Sequence, residues 1–188
     1  KFGMVGSTDS HTSLSTAEEE NFFGKHSGVE PGPHRWEHVV IAAPDPKLNV
    51  MGWQQAASGY AAVWATENAR EAIFDAMKRK EPYATTGSRM TVRFFGGWDF
   101  KAADTNTRLP ATVGYARGVP MGGDLRKAPP GKRPSFLLAA MKDPYSGNLD
   151  RIQAVKGGTD KAAKAQQQAH DVAWSDRPAY SKPWRSAQ

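Results

Sequence analysis

Phe2-Gly3-Met4-Val5-Gly6-Ser7-Thr8-Asp9-Ser10-His11 is the stretch on which the fold assignment turns. Phe2, Met4 and Val5 read as a short buried strand, Gly6 and Ser7 begin to end it, and Asp9 and His11 emerge where the chain turns. Side chains at i and i+2 of an extended segment point the same way. Asp9 and His11 can therefore face one point, where a carboxylate oxygen beside a neutral imidazole nitrogen suits a divalent transition metal. The plainer reading of Asp9 is a turn former, and the spacing is compatible with both.

Downstream, Ser15 or Thr16 followed by Glu18 or Glu19 fits a capping box, so a short helix is expected there, with Phe22 and Phe23 as apolar residues to bury. Glu20 or His26 is the candidate to approach the Asp9–His11 pair from behind and hydrogen-bond to it, as partners of metal-bound histidines usually do. From Ser27 to Met51 the chain is rich in Pro and Gly and reads as loop, with only Val39 to Ala42 consistently apolar. His34 and His38 have helical chelating spacing, but Pro31, Gly32 and Pro33 oppose a helix, and a structural or exposed role is the better expectation. Trp36 and Trp53 read as packing residues by default.

The clearest helix is Glu67 to Lys80, where Ala69, Ala72, Ile73, Ala76 and Met77 make one apolar face at helical period. Thr66 can cap it, Lys78, Arg79 and Lys80 suit its C-terminal end, and Pro82 stops it. Thr85-Thr86-Gly87-Ser88-Arg89 follows as a turn, and Arg89 is the candidate to clamp an anionic substrate through its planar fork. Thr91 to Phe95, Phe136 to Lys142, Arg151 to Lys156 and Val172 to Trp174 read as strands, with Ser135 to Met141 apolar enough for burial on both faces. The Asp143–Gly147 turn suggests that Phe136 to Lys142 and Leu149 to Lys156 are neighbours. Lys161 to Ala169 is expected as a surface helix or loop. Val119 to Asp124 lacks the frame of a phosphate loop.

Four runs, KFGMVGSTDSHTSLSTAEEENFFG from Lys1, AAVWATENAREAIFDAMKRKEPYATTGSRMTVRFFGGWDF from Ala61, GYARGVPMGGDL and KDPYSGNLDRIQAVKGG, resemble the DUF3604 family, a group related to PHP-type metallohydrolases. The resemblance extends to about Asp176. It implies an α/β plus β architecture: the end of a PHP-like (β/α) barrel over residues 1–95 with a loop insertion at 27–60, a small β-rich, sandwich-like segment over 96–176, and a loosely held tail at 177–188. In PHP-type enzymes a late barrel strand ends in Asp-x-His and both side chains bind metal; the matching positions are Asp9 and His11. Such enzymes also carry an early His-x-His motif, which this chain lacks, and the chain starts at Lys1 with no initiator Met. The expectation is the later part of a longer protein, holding part of a site whose remainder lies in a missing N-terminal part of the same polypeptide.

Composition sets the outer bounds. The chain's 188 residues are 39% apolar, without cysteine, and its mean hydropathy is −0.63. A disulfide framework and thiolate chemistry are excluded, a Cys-free chain tolerates either redox compartment, and no run is long and apolar enough for a membrane span. The net charge of +6 is uneven: Lys and Arg number 13 against 14 acids up to Leu125, and 12 against 5 from Arg126 onward. Arg126, Lys127, Lys132 and Arg133 alternate with Pro129, Pro130, Gly131 and Pro134, which reads as a solvated loop rather than a nucleic-acid footprint.

Two functions are compatible with these residues. One is a metal-dependent hydrolase, phosphoesterase-like, in which Asp9 and His11 hold a Zn, Mn or Fe ion, Arg89 meets a small anionic substrate, and metal-activated water attacks. The other is a non-catalytic β-rich binding or interaction module.

Overall fold

The computed structural model describes residues 3–14, 22, 24–28, 30–57 and 59–175. The chain divides into two compact units, residues 1–141 and 142–188.

In the first unit, β1 (Val39–Ile41) pairs antiparallel with β2 (Val50–Met51), so the apolar residues from Val39, read with their surroundings as loop, form a short strand. β3 (Ala61–Val63) pairs antiparallel with β4 (Pro82–Ala84), and between them runs helix α1 (Arg70–Lys78). The helix is shorter than its apolar period suggests: its N-cap is Ala69, with no side-chain bond, rather than Thr66. Backbone bonds between Tyr60 and Thr85 in both directions, 3.2 and 2.9 Å, prolong the β3–β4 ladder by one pair.

β5 (Thr91–Gly97) is the central strand of a three-stranded antiparallel sheet, flanked by β6 (Gly118–Pro120) and β7 (Ser135–Met141). Helix α2 (Pro110–Arg117), which the sequence pattern did not announce, packs on this sheet. Its Gly114 lies on the Phe95 ring so closely that a Cβ would sit 2.4 Å from it. Phe95 is 1% exposed and meets Tyr115 edge-on at 5.1 Å; with Ala76 and Leu137 it forms the buried apolar core among the described residues.

A polar junction accompanies that core. Glu81 is buried and receives Arg79 at 3.4 Å, Arg93 at 4.0 Å and the Tyr115 hydroxyl, the kind of pairing a buried carboxylate requires. Arg93 also lies 3.2 Å over the Trp64 ring, while Trp64 Nε1 donates to the Val92 carbonyl at 2.9 Å. Burial, reinforced by Glu81, raises the Tyr115 hydroxyl above its ordinary pKa.

The second unit contains one long hairpin, β8 (Arg151–Thr159) with β9 (Ala165–Trp174). The segment expected as a surface helix or loop is instead the Asp160–Lys164 turn and the start of β9.

The architecture corrects the expected fold class. Among the described residues no barrel closes, and the end of a PHP-like (β/α) barrel does not form: their strands make four small antiparallel sheets, accompanied by two short α-helices. A βαβ unit joins parallel strands through its helix, whereas α1 joins β3 to β4, which are antiparallel partners. The sandwich-like segment resolves into the β6–β5–β7 sheet and a separate two-stranded hairpin. β7 takes β5 as its neighbour and β8 takes β9, so the Asp143 turn does not join paired strands. At the start of the chain, Met4 is 86% exposed and residues 3–10 carry no strand. Phe2, the expected helix from Ser15, and the tail from Arg177 lie outside the described residues.

Candidate functional site

Lys25 gathers the opening stretch. Its carbonyl accepts the His11 N–H at 2.7 Å, which lays His11 beside His26 in an isolated parallel bridge. The two imidazoles stack with centroids 4.6 Å apart and planes 19° apart. Its Nζ stands 3.1 Å from Asp9 Oδ2 and donates to the carbonyls of Thr8 and Ala56, each at 3.3 Å. An ammonium has three N–H donors, and these three oxygens match them in number.

Lys25 is 5% exposed, so its charge needs those partners. Its backbone N–H donates to Glu30, a buried carboxylate that also receives Arg35 Nε. Arg35 reaches on to the Gln55 carbonyl at 2.7 Å. Burial pushes the Glu30 carboxyl up, but the Arg35 and Lys25 hydrogen bonds together with the Arg35 charge outweigh it and hold the pKa below its ordinary value. Gly24 makes the approach possible: it adopts a φ of 131°, and a Cβ there would fall 2.4 Å from the Glu30 side chain.

Asp9 sits in the left-handed region, φ 55°, with its side chain largely exposed. The Lys25 hydrogen bond, then the Lys25 charge, lowers its pKa, with smaller contributions from His11 and His26. The i, i+2 alternation expected of a strand therefore does not relate Asp9 to His11; a turn and the Lys25 side chain do.

Of the residues singled out in the sequence, Asp9, His11 and His26 come together. His26 packs face to face on the His11 ring. Glu20 lies outside the described residues. Arg89 lies with its guanidinium 5.5 Å over the Tyr60 ring. His34 turns to Glu37 at 2.6 Å rather than forming a chelating pair. Lys25, Glu30 and Arg35 escaped sequence reasoning; the only local signal was a glycine directly before the lysine.

A carboxylate and an imidazole are donors that Zn, Mn and Fe accept, so Asp9 and His11 fit as two ligands of such an ion. Among the described residues no group of three or more His, Cys, Asp or Glu is placed to hold one. The fit is that of part of a coordination sphere. No described helix is long and apolar enough to cross a membrane.

A protein-family model described as "Protein of unknown function (DUF3604)" matches residues 1–186. No curated protein matches, and no solved structure matches.

Proposed function

This chain belongs to the DUF3604 family, and from that premise we propose that it takes part in metal-dependent hydrolysis of a small anionic substrate, a phosphoester in the first instance. Asp9 and His11 supply two of the metal's ligands, and groups beyond the described residues supply the others. A bound divalent ion supplies a water whose pKa falls to about 7.

The chain's own residues do the rest. Asp9 and His11 hold their donor atoms at one end of the site, His26 offers a second imidazole that accepts a proton or steadies His11, and Arg89 is suited to an oxyanion through its planar fork. The observation supporting this reading is the convergence of Asp9, His11 and His26 around Lys25. A second reading, a non-catalytic binding module, draws its support from the β8–β9 hairpin, whose side chains are mostly exposed.

Elemental analysis of the purified protein beside Asp9→Ala and His11→Ala tests the proposal. Stoichiometric Zn, Mn or Fe in the wild type, lost in either variant, is the expected result, together with phosphoester turnover that chelation abolishes and metal restores. Metal content indifferent to both substitutions overturns it in favour of the binding module.

A further inference from the structure

Lys25 has a place in the candidate site that the proposed hydrolysis does not use. Its Nζ is surrounded by Asp9 Oδ2 at 3.1 Å and the carbonyls of Thr8 and Ala56 at 3.3 Å. Carboxylate and carbonyl oxygens are the donors that hard cations take, and here a side-chain ammonium has them. The group is buried at the root of the site, whereas Asp9 reaches toward solvent. The other carboxylate nearby, Glu30, is already engaged by the Lys25 amide and Arg35. Asp9 is thus the counter-charge of Lys25.

We propose that Lys25 is a tethered cation that competes with a divalent ion for Asp9, and so regulates how tightly the site takes metal. The inference rests on the reading of Asp9 and His11 as metal donors. An ion arriving at Asp9 meets a fixed positive charge at the same carboxylate and either displaces the ammonium or binds against its repulsion. Unlike charges a few ångströms apart in a partly buried site interact strongly, and like charges repel equally. Removing the lysine charge therefore frees the carboxylate for metal.

The test compares Mn²⁺ affinity, measured by competition with a fluorescent chelator, in the wild type, Lys25→Gln and Lys25→Arg, each also in an Asp9→Asn background. Glutamine keeps N–H donors for the Thr8 and Ala56 carbonyls while discarding the charge. The expected result is Mn²⁺ binding tighter by about tenfold or more in Lys25→Gln, near wild-type in Lys25→Arg, with no gain from Lys25→Gln once Asp9 is Asn. Thermal melts verify folding, and Lys25→Met serves as a second neutral variant if Lys25→Gln does not fold. Equal or weaker Mn²⁺ binding in the neutral variant overturns the inference while leaving the hydrolase reading intact. A gain that persists in the Asp9→Asn background also overturns it, because the lysine would then not act through Asp9. If neither wild type nor any variant binds Mn²⁺, the metal reading falls and this inference with it.

Discussion

At the scale of the residue, glycines show where backbone geometry leaves no room for choice. Gly59 has a φ of 131°, and a Cβ there would lie 1.7 Å from the Thr85 carbonyl oxygen, the atom that accepts the Tyr60 amide. Gly59→Ala is expected to destabilise the protein by about 3 kcal/mol or more in urea unfolding. Gly87 has a similar φ of 137° with nothing within 4 Å of its would-be Cβ, so Gly87→Ala should carry only the backbone penalty, about 1 kcal/mol. Equal losses in the two variants would refute the steric argument. The same scale explains what sequence could reveal of the site. Asp9 and His11 are two positions apart and visible as a pair, though for a reason that their turn conformation replaces. Lys25 was invisible because its partners, Thr8, Asp9, His11 and Ala56, lie 14 to 31 positions away, and nothing local in a lysine announces such a set.

At the scale of the element, legibility followed the apolar runs. β5 and β7 were readable because Thr91 to Phe95 and Phe136 to Met141 are concentrated in β-branched, aromatic and aliphatic residues. The first half of β9 was not, although Val172 to Trp174 at its end read as strand, because Ala165-Gln166-Gln167-Gln168-Ala169 has neither a two-residue nor a helical period; its pairing with β8 decides its state. The turn between them is fixed by one side chain. Asp160 Oδ1 accepts the amides of Ala162 at 2.9 Å and Lys164 at 3.0 Å, and Oδ2 accepts Gln166 Nε2 at 3.1 Å. The Lys164 amide, followed by those of Ala162 and the Gln166 side chain, holds the carboxyl below its usual value of 3.8. A lowered folded-state pKa gives a contribution that is complete above the unfolded value and lost as pH falls through the folded one. Amide exchange at Ala162 and Lys164 should therefore accelerate, relative to intrinsic rates, once the pH drops below about 3.8, and Asp160→Ala should show the faster relative rate already at neutral pH. An Asp160→Ala hairpin as protected as the wild type would contradict this role.

At the scale of the whole molecule, the apolar face of α1 illustrates how far periodicity reaches. Its spacing suggested a packing helix, and Ala72, Ile73 and Ala76 are its more buried residues, whereas Met77 on the same face is 48% exposed and Phe74, off that face, 63%. Period identifies a helix and its stripe but not what covers the stripe, and a resemblance in long runs did not determine how the strands pair. Phe74→Ser should accordingly change unfolding free energy by no more than about 0.5 kcal/mol while lowering the binding of a hydrophobic dye; a larger loss of stability would mean that Phe74 belongs to the core. The junction around Glu81 has a further use. Trp64 is bonded through its indole nitrogen to β5 and lies under the Arg93 guanidinium, so its fluorescence quantum yield responds when that cation leaves the ring. With the other five tryptophans replaced by phenylalanine, Trp64 becomes an optical gauge of whether the β3–β4 ladder and the central sheet are still docked, readable in solution without attaching a label.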